Sequence, residues 1–196
     1  LGVPPHITAA TGIDALTHAI EAYVASNGTP LTRGLAYRAI NSICQALPQA
    51  VGQGHDLVAR EAMMLASYMA GMAFSNAGLG LCHATAHQIG AAYGIPHGKA
   101  NAIMLPAVMK FNQLVCKTAY SEIGHALTGK SCAASESIAF VEHLIDELEL
   151  GSGLRAAGGR DADFAGFAHA AMSDICITTN PRTVTEAQII TLYQDA

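Results

Sequence analysis

An all-α fold, a bundle of many helices, is predicted from two observations. Apolar residues recur at helical spacing along nearly all of the 196 residues. Strand signals are scarce, with no alternating run bounded by turns and no Asn-Gly or Asp-Gly hairpin. In the first element, Ile13 to Ala25, residues Ile13, Leu16, Ile20 and Tyr23/Val24 fall on one face, Thr11 is a candidate N-cap, and Gly28 and Pro30 end the helix. A second helix is expected from about Leu31 to Val51, with a stripe of Leu35, Ala39, Ile43, Ala46 and Leu47, and with Pro48 placed to break its last turn.

From Asp56 to Ala77 the chain is apolar on nearly all sides and rich in Ala, Met, Gly and Ser, which predicts a central core helix. Met63, Met64, Met69, Met72 and Phe74 are expected in that core, as are Phe140 and Phe164. A short helix over Leu81–Ala92 follows a glycine-rich entry and ends in a Gly-Ile-Pro turn at 94–96. Further helices are expected at 98–113, 118–127, 134–148, 162–173 and 185–193, the last opened by a Thr/Glu cap signal.

Composition narrows the function classes. Hydrophobic residues make up 51% and charged residues 13%, so much of the surface is expected to face other protein. The net charge is -5 with no basic cluster, which argues against a nucleic-acid partner. Five scattered cysteines, never in a C-x-x-C pair, speak against a disulfide framework and for a reducing, cytoplasmic setting. No apolar run of about eighteen residues marks a membrane span, and no signal peptide is evident. The first residue is Leu1, not Met, and the chain is read as part of a longer polypeptide.

The chemistry concentrates in two stretches. In TGIDALTHAIEAY, Asp14 and His18 are one helical turn apart and can reach one ion. In HATAHQIGAAYGIPHG, three histidines, His83, His87 and His97, crowd an Ala/Gly-rich segment where each buried imidazole would need a partner. One carboxylate with several imidazoles suits Fe(II) or Zn(II), whereas Ca and Mg prefer oxygen shells. The competing readings are bland: TGID as a helix-start box, and His18 as a satisfied core histidine. Spacing alone leaves open which three histidines would join Asp14. Metalloprotease chemistry is disfavoured, because the residue after His83 is Ala84 rather than Glu.

These stretches carry a family resemblance. TAATGIDALTHAIEAYVA, the run from AREAMMLASY to VMKFN, and TTNPRTVTEAQIITLYQDA resemble the C-terminal, metal-binding half of the iron-containing (group III) alcohol dehydrogenases. The motifs are G-x-D-A-x-x-H-x-x-E and H-x-x-x-H, followed after nine residues by H-G, and the match runs almost end to end. The resemblance implies that residues 1–196 form one helical metal-binding and substrate domain of the dehydroquinate-synthase-like architecture, with an N-terminal nucleotide-binding domain of the same polypeptide absent from this chain. It implies Asp14, His18, His83 and His97 as ligands to Fe(II) or Zn(II). It places His87 beside the nicotinamide of NAD or NADP, as a proton relay between a small alcohol or aldehyde substrate and solvent.

What the resemblance implies for function is interconversion of an alcohol and its aldehyde or ketone by hydride transfer, in a complete enzyme expected to be a homo-oligomer. A histidine, titrating near 6.5, can relay a proton around neutral pH. No G-x-G-x-x-G follows a strand, so the chain alone is expected to show little or no turnover. The alternatives are a metal-dependent lyase or cyclase on the same architecture, and a non-catalytic helical interaction domain. Asn76 and Asn101 are further candidates, as residues that orient ligands by hydrogen bonds. His6, His55, His125, His143 and His169 lie in surface-like contexts, and Lys99 is read as solvating a helix start.

Overall fold

In a computed structural model that describes residues 1–196, the chain is all-helical. Its elements are α1 (Pro5–Val24), α2 (Pro30–Gly52), α3 (Leu57–Ala77), α4 (Leu81–Tyr93), α5 (His97–Thr128), α6 (Ala134–Glu147), α7 (Gly153–Ala156), α8 (Asp161–Met172), a 3-10 turn (Ile175–Thr179) and α9 (Glu186–Asp195). Helix α1 packs on α2, α3 and α5, while α5 also meets α4 and α6. Helices α4, α8 and α9 form the other flank. No helix is long and apolar enough to cross a membrane, and all five cysteines are unpaired.

Local chemistry accounts for several of the helix ends. Thr29 caps α2 by exchanging hydrogen bonds with Thr32, its Oγ1 accepting from the Thr32 N–H at 3.2 Å. Asp56 caps α3 by accepting from the Val58 and Ala59 amides. Gly94 ends α4 in the left-handed conformation (φ 65°), which a glycine adopts without the Cβ penalty. The turn through Ile95 and Pro96 then delivers His97 to the first position of α5.

Several expectations need correction. Helix α1 begins at Pro5, not near Ile13, because proline at the first helical position sacrifices no hydrogen bond. Thr11 is therefore inside the helix, donating back to the Ile7 carbonyl at 2.8 Å, and is no cap. Pro48 does not break α2, which runs on to Gly52. The two helices expected over 98–113 and 118–127 are one span, with a kink where Cys116 leaves helical geometry (φ -114°, ψ 19°). The cap partner of Thr185 is Gln188.

Helix α3 is not a central helix. It buries a face of alanines, Ala59, Ala66, Ala70, Ala73 and Ala77, against its neighbours. Leu57, Val58, Met64, Leu65 and Tyr68 lie exposed on the other side. Small side chains let α3 approach α1 and α2 closely, and that turns the larger ones outward. Met64 is thus on the surface, while Met63, Met69 and Phe74 are half-buried against the core. Phe164 is fully buried and Phe140 half-buried.

Candidate metal centre

The site is built where α1, α4 and α5 converge. One helical turn of α1 presents Asp14 and His18, the first turn of α4 presents His83, and the first residue of α5 presents His97. Their donor atoms all lie within 4.8 Å of one another. Asp14 Oδ1 is 3.7 Å from His83 Nε2 and 3.3 Å from His97 Nε2, and Asp14 Oδ2 is 3.9 Å from His18 Nδ1.

The spacing between α1 and α5 is set by backbone. A Cβ on Gly98 would meet the Ala10 carbonyl, so a residue with any side chain next to His97 would push α5 away from Asp14. The His18 ring is stacked between Phe74, at 4.5 Å between centroids, and His83, at 4.6 Å. Exposure rises steeply across the group: the His83 side chain is 1% exposed, His18 20%, Asp14 21% and His97 46%. The cluster is therefore closed on the α4 side and open on the side of His97.

Two residues without an expected role shape the candidate site. Glu21, buried one turn beyond His18, places Oε2 2.5 Å from His83 Nδ1 and accepts from the Cys82 N–H through Oε1 at 2.7 Å. The Glu21 carboxylate thus fixes the His83 ring, leaves its Nε2 facing Asp14, and adds negative charge at the positive end of α4. Asn180 accepts from the next amide of that helix end, Leu81 N–H, and pairs with Asn112, tying the C-terminal segment to the site. The signal for Glu21 is in the sequence, a carboxylate three residues after His18 and seven after Asp14, on the face of α1 that carries both.

Asn101, fully buried on α5, does meet the cluster. Its Nδ2 donates to Asp14 Oδ1 at 2.7 Å and lies 3.2 Å from both His83 Nε2 and His97 Nε2. One amide nitrogen thus sits among three polar atoms of the cluster. Asn76 does not: it is exposed and donates to the Met72 carbonyl of its own helix. His125, His143 and His169 pair with Tyr37, Glu147 and Glu186, away from the site.

Electrostatics favour a cation. Burial works to raise the Asp14 pKa, but hydrogen bonds from His83 and His97 and the charge of neighbouring imidazoles outweigh it and hold the carboxyl far below its usual range. Burial likewise works against a charged His83, yet Glu21 and Asp14 raise it to about 9. His18 is pushed down to about 4 by burial, which Asp14 only partly opposes. Asp14 and Glu21 form no ion pair with any Lys or Arg, only with imidazoles. Two largely buried carboxylates compensated by histidines alone, with three imidazole nitrogens turned to one carboxylate, fit a divalent first-row metal.

His87 lies at the open rim, 40% exposed, its ring stacked on His97 at 5.4 Å. Its Nδ1 is 2.7 Å from Asp174 Oδ2, a residue that caps the 3-10 turn by accepting from Cys176 N–H at 2.9 Å. Burial works to raise the Asp174 pKa, but His87 and the Cys176 amide hold it lowered, and burial with the Asp174 charge pushes the Cys176 thiol up to about 12.

Comparison with known proteins gives a family for the chain. The sequence profile described as "Fe-containing alcohol dehydrogenase family, C-terminal" matches residues 8–196. The chain is 59% identical over 195 residues to the probable alcohol dehydrogenase EutG of Salmonella typhimurium, covering 100% of this chain and 49% of that protein. It is 42% identical over 202 residues to the 1,3-propanediol dehydrogenase of Klebsiella pneumoniae, with 100% and 52% covered. Among solved structures, a 1,3-propanediol oxidoreductase superposes with a TM-score of 0.97 at 40% identity, over 99% of this chain and 52% of that one. An iron-containing alcohol dehydrogenase from Thermococcus thioreducens gives 0.90 at 33%, over 99% and 51%. The chain thus spans about half the length of the relatives it matches.

Proposed function

Because the chain belongs to the iron-containing alcohol dehydrogenase family, as its C-terminal part, we propose that it is the metal-holding half of an NAD(P)-dependent alcohol dehydrogenase acting on a small alcohol. The observation that carries this is the convergence of Asp14, His18, His83 and His97 donor atoms within 4.8 Å from three helices. In this reading those four residues hold Fe(II) or Zn(II). The chemistry supplied there is Lewis acidity toward an alcohol or carbonyl oxygen, with the nicotinamide as hydride acceptor or donor.

The chain's own residues do the positioning. Glu21 holds His83 by Nδ1 so that Nε2 is the donor, and Asn101 holds Asp14 Oδ1. Phe74 and His83 sandwich His18 and fix its ring plane. His87 stands outside the four-donor cluster but against it, half open to water, with Nδ1 held by Asp174. Its Nε2 is then the atom that takes the substrate hydroxyl proton and passes it to solvent. The open rim by His97 and His87 is the side from which substrate and nicotinamide approach, with the nucleotide-binding half of the polypeptide facing it.

The test has two parts. Elemental analysis of the anaerobically purified chain should find about one Fe or Zn per chain, lost in Asp14→Asn, His83→Ala and His97→Ala but kept in His87→Ala. With the nucleotide-binding half supplied on the same polypeptide, the metal-loaded protein should reduce NAD or NADP with small primary alcohols or diols. A metal-loaded protein that oxidises none of them would overturn the dehydrogenase reading.

A further inference from the structure

Beside the four-donor cluster the structure holds a second set of unlike donors, an imidazole, a carboxylate and a thiol. His87, Asp174 and Cys176 offer one ligand atom each within 4.8 Å of the others. They come from α4 and from the start of the 3-10 turn, and they share no residue with the first cluster. We propose that these three residues form a second cation site, for a thiophilic divalent ion of the Zn²⁺ or Cd²⁺ class.

The geometry is prepared on one side and open on the other. Asp174 is aimed by its own turn, since one carboxylate oxygen accepts from the Cys176 amide while the other faces His87 Nδ1 at 2.7 Å. The Asp174 side chain is only 14% exposed, whereas His87 is 40% exposed, so an ion reaches the group from the His87 side. One nitrogen, one oxygen and one sulfur match the preference of Zn²⁺ for mixed tetrahedral donors, and water completes the fourth position. Magnesium and calcium, which take oxygen shells, are not expected there.

Binding balances without an oxidant or reductant. The thiol proton of Cys176 leaves to water as the metal–sulfur bond forms. The imidazole gives up its contact with Asp174 and presents Nδ1 as a lone pair, so its remaining proton sits on Nε2. Occupancy would then take His87 out of any proton transfer. The site itself does not rest on the dehydrogenase reading, because its donors bind the ion whatever reaction the first site serves.

The experiment is an anaerobic titration of the metal-free chain with Cd²⁺, following bound cadmium and the ultraviolet thiolate-to-cadmium charge-transfer band. The expected result is two ions per chain, the first without the band and the second with it. Cys176→Ser should lose the band and the second ion. His87→Ala and Asp174→Asn should each weaken the second ion at least tenfold, with folding checked by circular dichroism. Asp14→Asn should weaken the first ion and keep the band, which separates failure of this proposal from failure of the first site. A single ion without the band would overturn the proposal, as would a band that survives in Cys176→Ser.

Discussion

Glu21 Oε2 lies 2.5 Å from Nδ1 of His83, with both side chains buried, at 5% and 1% exposed. A carboxylate on the far nitrogen of a ligating imidazole fixes its tautomer and raises its basicity, and loss of such partners costs about 10- to 100-fold in metal affinity. Glu21→Gln should therefore weaken Fe(II) or Zn(II) binding by that order while preserving the helical circular dichroism. Competition against a chelator of known affinity measures it. An unchanged affinity would show that the pair only fills space.

The same contact gives metal binding a pH dependence. His83 is raised to about 9 in the metal-free chain, above its ordinary 6.5. The stability contributed by its charged form is fully present below about 6.5 and is lost as pH rises through about 9. An incoming cation must displace the Nε2 proton, so affinity should climb by up to about tenfold per pH unit between about 6.5 and 9, then level off. His18, already neutral in that window because burial holds it near 4, adds little slope. Isothermal titration in buffers of different ionisation enthalpy should find about one proton released per ion at neutral pH.

Asn101 should matter more without metal than with it. Its amide nitrogen sits among Asp14, His83 and His97, partners that a bound cation would claim instead. Asn101→Ala should destabilise the metal-free chain by about 1–3 kcal/mol, the cost of leaving buried polar atoms unpaired. The loaded chain should lose less. Thermal unfolding with and without Zn(II) gives both values, and equal losses would contradict the interpretation.

Gly98→Ala should act on both fold and site. The new methyl meets the Ala10 carbonyl, so α1 and α5 must separate, at about 1–3 kcal/mol, and Asp14 moves from His97. Lower melting temperature and weaker metal binding should appear together. Gly71→Ala is the control, a helical position where a Cβ meets nothing within 4 Å. It should be neutral or gain up to about 1 kcal/mol.

Much of the fold was legible because the helical period is strong and the punctuation conventional. Gly52 and Gly94 mark stops that the structure places within a residue, whereas α1 ends at Val24, four residues before Gly28, and Pro30 opens α2. Misreadings came where one local signal outweighed another. Thr11 looks like a cap, but Pro5 starts the helix about two turns earlier. Apolarity all round α3 suggested burial, yet only its alanines are small enough for close packing, and the large residues face out.

The histidines and Asp14 could be picked out because they are rare polar residues at ligand spacing. The residues that hold them were harder to see. Glu21 and His83 are sixty-two positions apart, and Asp174 and His87 eighty-seven. Such partners become neighbours only through tertiary packing. Asp174 also sits in a short 3-10 turn that has no hydrophobic period to announce it.

The gradient of exposure across the cluster has a kinetic consequence. With His83 sealed at 1% and His97 open at 46%, a cation held by the four proposed donors would leave in one direction only. His97, on its glycine-set helix start, is then the latch: how fast an ion escapes is decided at the rim. A change at His97 would then act on the residence time of an ion as well as on its affinity, because the residue at the exit is also one of the four proposed donors.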